Sequence, residues 1–189
     1  MQGFIFALFA TFIAGLGARD QVLVAVLSDK LGRRRSLLVL ASLTGAIASA
    51  FAAWATREFS AHLDYAGRLV LACFALIAGG LESIFIGPRR RAREPTRSLF
   101  AAAIVFLMDQ MADAARFLVL AIALLTDPVA AGVGGAVGNA ASLMVGWVGA
   151  GPLLGAQGGL RQARRWAGGL MLCAAMVLAG AVWVAFRGY

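Results

Sequence analysis

Long apolar segments alternate with short polar ones along the whole chain. Charged and turn-forming residues divide the sequence into six apolar segments, each close to the length of about 20 residues that crosses a bilayer core as a helix. Backbone N–H and C=O groups find no partners in lipid, so helices are the predicted form for such segments. The predicted spans are residues 3–27, 36–56, 66–87, 98–126, 129–152 and 167–187.

The composition supports a membrane environment. The chain has 189 residues, of which 61% are hydrophobic, and its mean hydropathy is +0.85. Soluble domains are about 45–50% apolar. The first span lacks the basic start of a signal peptide and is too long for one, so we predict that it is a mature transmembrane helix. The predicted fold class is therefore an all-α integral membrane protein with six transmembrane helices and the lipid bilayer as its main partner.

The basic residues are concentrated in alternate connections. The formal net charge is +8, and the connections at 28–35, 88–97 and 153–166 carry four, five and three basic residues, whereas the even-numbered connections carry at most two. The positive-inside rule places the basic connections in the cytoplasm and both termini outside, in a bacterial inner membrane. Short basic runs between apolar segments form no surface patch, so we expect no nucleic-acid partner.

This topology predicts two halves of opposite orientation. Residues 1–87 form the first three-helix repeat and residues 98–189 the second, joined by the arginine-rich connection at 88–97. Inverted repeats are a common plan of secondary transporters, with the site near the middle of the membrane between the halves. The sequence supports the repeat modestly, since the first helix of each half places charge near its middle, before an unbroken aliphatic run.

Six ionisable residues fall within the predicted spans, where such groups are costly and usually functional. A continuous helix would place Asp109, Asp113 and Arg116 on one face at i, i+4 and i+7. We expect Arg19 to reach Asp109, and Asp113 to pair with Arg116. The full set is Arg19, Asp20, Glu82, Asp109, Asp113 and Arg116.

These charges predict a cation pathway. Carboxylates are hard oxygen ligands that suit Ca²⁺, Mg²⁺ or Mn²⁺, and burial favours their protonated form, which allows proton exchange. The alternative is a structural cluster in which three aspartates and two arginines hold helices together. Glu82 is expected to snorkel or to meet the arginines of the connection at 88–97. We expect Cys73 and Cys173 to be buried apolar thiols, and no residue pattern indicates an enzyme.

Two short segments resemble a known family motif. The chain is similar to the Golgi-type manganese/calcium cation–proton exchangers of the lysine-exporter superfamily, in which each inverted half carries a Glu-x-Gly-Asp-Lys/Arg-Ser/Thr motif in its first helix. Gly17, Arg19 and Gln21 match the glycine, the basic residue and the glutamine that often follows, and Asp113 matches the aspartate of the second motif. The resemblance covers nearly the whole chain at the level of layout.

Several motif positions differ from the family pattern. The differences are Gly15 and Gln110 for the two glutamates, Ala18 for the first aspartate, Asp20 for the first hydroxyl residue, Ala112 for the second glycine, and Ala114 and Ala115 for the second basic and hydroxyl residues. Asp20 and Asp109 stand near the lost carboxylates and are candidates to compensate for them. Gln110 retains a neutral oxygen at its position.

The resemblance implies exchange of Mn²⁺ or Ca²⁺ against protons, with no bound cofactor. Asp113 is then the central ligand and proton carrier, assisted by Asp109, Asp20 and Gln110. Arg19 and Arg116 would balance the charge of the empty site. Two alternatives stay open: a related exporter of a small amino acid or anion, and a protein that kept the fold without transport. A homo-oligomer also remains open.

Overall fold

The computed structural model describes residues 1–87 and 98–187, and all regular secondary structure in these two ranges is helical. The predicted connection at 88–97 lies outside the described residues. The helices are α1 (Gln2–Gly15), α2 (Arg19–Leu31), α3 (Arg35–His62), α4 (Tyr65–Phe85), α5 (Leu99–Met111), α6 (Ala114–Leu125), α7 (Pro128–Val148), α8 (Ala150–Gly155) and α9 (Gln157–Arg187).

The helices confirm a multi-pass, all-α membrane protein. Four of them, α3, α4, α7 and α9, are long and apolar enough to cross a membrane in the described residues. A fifth candidate is the pair formed by α1 and α2, whose axes are bent by 58°. The predicted first span is thus two helices rather than one. The predicted fourth span is also divided, into the shorter apolar helices α5 and α6.

Local sequence explains where several helices begin. Asp64 precedes α4 and accepts a hydrogen bond from the Gly67 N–H at 2.8 Å. Asp127 precedes α7 and accepts one from the Ala130 N–H at 2.6 Å, with Pro128 in the first turn. Each carboxylate satisfies a backbone donor that has no partner within its helix. The predicted spans 98–126 and 129–152 leave only residues 127–128 between them, and the structure confirms a short connection there.

The predicted loop at 153–166 is wrong, because most of it is helical. The short helix α8 occupies its first part, and α9 begins at Gln157, ten residues before the predicted span. Arg161, Arg164 and Arg165 therefore lie on the first turns of α9. Their side chains point in different directions, since Arg164 is buried whereas Arg161 and Arg165 are exposed.

Small residues allow the helices to pack closely. A Cβ atom placed on Gly168 of α9 would lie 2.7 Å from the Gly80 carbonyl oxygen of α4. On α7, Cβ atoms at Gly134 and Gly138 would collide with the backbone of α1. Such contacts between small residues are typical of helix association in lipid, where packing replaces the hydrophobic effect.

Large apolar side chains face outward, and polar ones lie inside. Phe6, Phe9, Phe74 and Trp183 are each more than half exposed, as expected for a surface that contacts lipid. The buried polar and charged side chains of the described residues are Thr11, Asp20, Gln21, Ser28, Thr44, Ser49, Thr56, Glu82, Ser83, Gln110, Asp113, Arg116, Asn139, Ser142 and Arg164. Most of the charged members of this group lie near the breaks of the two divided spans.

Candidate functional site

A glycine and a glutamine hold the bend between α1 and α2. Gly17 has φ +76°, a backbone region that L side chains avoid. The side-chain oxygen of Gln21 accepts a hydrogen bond from the Gly17 N–H at 2.6 Å, and its amide nitrogen donates to the Ser142 carbonyl at 2.7 Å. The first turn of α2 therefore starts inside the protein, with Arg19 and Asp20 as its first two residues.

Two carboxylates lie at the break between α5 and α6. Asp113 is the residue preceding α6, and its Oδ2 accepts a hydrogen bond from the Ala115 N–H at 3.4 Å. Glu82 reaches across from α4, and its Oε2 accepts one from the Ala114 N–H at 3.3 Å. The free N–H groups and the dipole at a helix N-terminus favour negative charge, so both contacts stabilise the start of α6.

Ion pairs join these two breaks into a chain of alternating charge. Glu82 is at its centre, since its two oxygens contact an arginine from α2 and an arginine from α9. The N···O distances along the chain are 3.7 Å for Asp109–Arg19, 3.4 Å for Arg19–Glu82, 2.7 Å for Glu82–Arg164 and 3.7 Å for Arg164–Asp113. We call these five residues the ion-pair chain.

Exposure decreases along the ion-pair chain. The side chain of Asp109 is 26% exposed and that of Arg19 is 13% exposed. The other three side chains are 2–5% exposed. Asp109 is therefore the most exposed member of the ion-pair chain.

Asp20 lies beside this chain and contacts a different set of groups. Its Oδ2 accepts a hydrogen bond from Gln110 Nε2 at 3.2 Å, and its Oδ1 accepts one from the Gln21 N–H at 2.8 Å. Gln110 also donates to the Ala41 carbonyl at 3.0 Å, which connects α5 to α3. With Asp20 and Arg116 included, the interior holds four carboxylates and three guanidinium groups, so its formal charge is −1.

Arg116 is directed away from the ion-pair chain, toward α3. Its Nη1 donates to the Gly45 carbonyl at 3.3 Å and to the Ser49 hydroxyl. No carboxylate oxygen of the described residues lies within 4.0 Å of this guanidinium, and its Nε and Nη2 have no hydrogen-bond partner there. Nearby, both polar side-chain atoms of Asn139 and the Oε1 of Gln110 are also buried without a partner.

The structure separates the predicted site residues into two neighbouring groups. Asp109 and Asp113 belong to the ion-pair chain, whereas Asp20 and Gln110 bind each other. The predicted contact between Arg19 and Asp109 is confirmed. The predicted pair of Asp113 with Arg116 is not formed, because the break at residues 112–113 interrupts the helix that would place them on one face.

Glu82 was identified as a charge within a span, and Arg164 is the residue of the ion-pair chain that the sequence analysis missed. Glu82 is buried and contacts Arg19 and Arg164, whereas its expected contact with the arginines at 88–97 lies outside the described residues. Arg164 was expected in a loop. A signal for it exists in the sequence, since residues 164, 168, 171 and 175 are spaced as one helix face and all four are buried on α9.

Among the described residues, no three or more His, Cys, Asp and Glu side chains lie together in a way that could hold a metal ion. The chain matches none of the protein families, curated proteins and solved structures with which it was compared.

Proposed function

We propose that this protein is a proton-coupled secondary transporter of a divalent cation, Mn²⁺ or Ca²⁺. The observation that carries the proposal is the ion-pair chain, which brings carboxylates from α4, from α5 and from the cap of α6 to the breaks of two divided apolar segments. A charged side chain at the centre of a membrane helix costs about 2.5–3.5 kcal/mol on insertion scales. Such groups are accordingly rare unless they serve an ion path or a proton relay.

The divided helices support the same proposal. Discontinuous helices are common in secondary transporters, because their free backbone groups and dipoles lie near the substrate. Here α1/α2 and α5/α6 both break within apolar sequence, and each pair is followed by a long apolar helix. We propose that α5 and α6 together form one further span. The chain would then have six spans in two inverted halves, with residues 1–87 and 98–189 as the repeats.

The proposed cation path begins at Asp109, the exposed end of the ion-pair chain. Asp113 acts as the central ligand and as a proton carrier, since it lies at the buried end of the ion-pair chain beside Glu82 and Arg164. Asp20 on α2 and Gln110 on α5 supply further oxygens beside the ion-pair chain. Because the arginines engage the carboxylates, a cation binds only as these ion pairs open, and Arg19 and Arg116 set the local field.

Flux measurements on matched cap variants test this proposal. Asp113→Asn keeps a residue that caps a helix but removes the charge, and Asp127→Asn makes the same change at the start of α7, outside the site. We expect Mn²⁺ or Ca²⁺ flux driven by a pH gradient in proteoliposomes to fall at least about tenfold in Asp113→Asn, because even indirect partners of a metal cost about 10–100-fold. Asp127→Asn should retain wild-type flux. Equal flux in both variants would exclude Asp113 as the ligand.

A second candidate function is export of a small carboxylate-bearing solute, such as an amino acid. The observation in its favour is Arg116, a buried guanidinium with two nitrogen atoms that lack hydrogen-bond partners in the described residues. Arg116 and the unpartnered amide of Asn139 both lie beside Gly45. A carboxylate would accept hydrogen bonds from both side chains. Thermal unfolding in detergent separates the candidates. Stabilisation by Mn²⁺ or Ca²⁺ supports the first, and stabilisation by an amino acid supports the second. If none of these ligands stabilises the protein, the result favours a protein without transport.

A further inference from the structure

Arg164 occupies the space between two carboxylates that come from different helices. Its Nη2 contacts Glu82 of α4 at 2.7 Å, and its Nη1 lies 3.7 Å from Asp113, at the start of α6. A metal ion that bridged Glu82 and Asp113 would need the same space, because carboxylate ligands converge on the ion that they bind. The guanidinium and such an ion therefore exclude each other.

The fit of Arg164 is incomplete. Only Nη2 forms a hydrogen bond, whereas Nε and Nη1 are buried without a hydrogen-bond partner in the described residues, and so is Asp113 Oδ1. A buried donor that lacks an acceptor is unfavourable, which weakens the hold of the site on this side chain. Arg164 is thus bound firmly at one carboxylate and loosely at the other.

Arg164 follows a segment that is packed on one side and open on the other. Four glycines, at positions 151, 155, 158 and 159, lie in α8 and the first turn of α9, and Cβ atoms at any of them would meet open space. The other side packs on α2, where Leu153 of α8 is buried against Val22 and Ala25. Departure of Arg164 from the two carboxylates therefore requires rotation of its own long side chain and not displacement of the segment.

We infer that Arg164 is a tethered cation, which occupies the space between Glu82 and Asp113 when no ion is bound and leaves it when a divalent cation binds. The inference rests on the proposed transport function and adds a positioning residue to it. Exchange of a guanidinium for a divalent ion changes the local charge by only one unit, so the empty and loaded sites are similar electrostatically. On the proposed topology, Arg164 lies toward the cytoplasmic end of α9, so its departure opens the site to that side.

Chemical modification of the wild-type chain tests the inference without a substitution. Phenylglyoxal modifies accessible guanidinium groups. Arg164 is 2% exposed and should be protected in the ion-free protein, whereas the adjacent Arg165 is exposed and should react. We expect Ca²⁺ to increase the modification of Arg164 several-fold, measured by mass spectrometry of the purified full chain. Modification of Arg165 should be the same with and without Ca²⁺, which makes it the internal control.

Two companion measurements separate this inference from the transport proposal. If Ca²⁺ flux is observed in proteoliposomes but Arg164 stays protected at saturating Ca²⁺, the tethered-cation role is wrong and the transport function stands. If Ca²⁺ produces neither flux nor a thermal shift, the protein does not transport this ion, and both the transport proposal for Ca²⁺ and the inference on Arg164 are wrong. The Arg164→Gln variant provides the last check: it should bind Ca²⁺ more tightly than wild type, whereas weaker or unchanged binding would indicate a purely structural ion pair.

Discussion

Gly17 is the residue on which the bend of the first apolar segment depends. Its φ of +76° is unfavourable for any residue with a Cβ atom, and a Cβ atom here would also lie 3.0 Å from that of Leu160. We expect Gly17→Ala to lower the free energy of unfolding by at least about 1–2 kcal/mol, the cost of the left-handed conformation alone. Chemical unfolding in detergent measures this change.

A matched glycine provides the control for that substitution. Gly180 lies within α9 with open space around its Cβ position, so Gly180→Ala should be neutral or stabilising by about 0.5–1 kcal/mol, the usual difference between these residues in helices. Opposite signs for the two variants are the expected result. If Gly17→Ala is as stable as Gly180→Ala, the backbone at residue 17 does not need a glycine.

Single residues were predicted from sequence only where a charge stood out against apolar neighbours. Asp20, Asp109 and Arg19 were identified as interior groups in this way, and the contact of Arg19 with Asp109 followed from their depths. Glu82 was also identified as a charge within a span, but its position near a basic run favoured a contact with loop arginines. Arg164 was assigned to a loop for the same reason, although residues 164, 168, 171 and 175 have the spacing of one helix face. The contact between Glu82 and Arg164 depends on the packing of α9 against α4, which neither segment specifies alone.

At the scale of elements, the contact between α1 and α7 depends on glycines. A Cβ atom at Gly138 would collide with the Leu8 carbonyl and the Thr11 hydroxyl, so the two helices would have to separate. We expect Gly138→Ala to destabilise the protein by about 1–3 kcal/mol, the usual cost of overpacking. Gly169→Ala, on an open part of α9, should leave stability nearly unchanged. Thermal unfolding of both variants in one detergent gives the comparison, and equal melting temperatures would contradict the role of Gly138.

The break between α5 and α6 shows why the second divided segment was predicted as one helix. Residues 111–113 contain neither glycine nor proline, and every backbone φ there is negative, so the local sequence contains no stop signal. The break is supported from elsewhere: Glu82 of α4 accepts a hydrogen bond from the Ala114 N–H, which replaces a bond within a continuous helix. By contrast, the apolar length of the helices and the starts of α4 at Asp64 and of α7 at Asp127 were predictable, because the residues that determine them lie in the same segment of sequence.

At the scale of the whole molecule, the all-α membrane architecture followed from the hydropathy pattern alone. The arrangement of the interior did not, since it depends on which helices meet. The ion-pair chain draws on four helices and on the cap of α6, so no window of sequence contains it. The proposed orientation, in contrast, rests wholly on the distribution of basic residues, and it is open to direct measurement.

Sidedness can be measured at the two ends of α3. Arg34 and Ala61 are both exposed and are separated by nearly the full length of this helix, about 40 Å at 1.5 Å per residue. The basic segment around Arg34 is expected in the cytoplasm. In a Cys73→Ala/Cys173→Ala background, a membrane-impermeant maleimide applied to intact bacterial cells should label Ala61→Cys and not Arg34→Cys. Permeabilised cells should show labelling of both, which controls for reactivity. Labelling of Arg34→Cys alone in intact cells would reverse the proposed topology and would place the opening at Arg164 on the outer side.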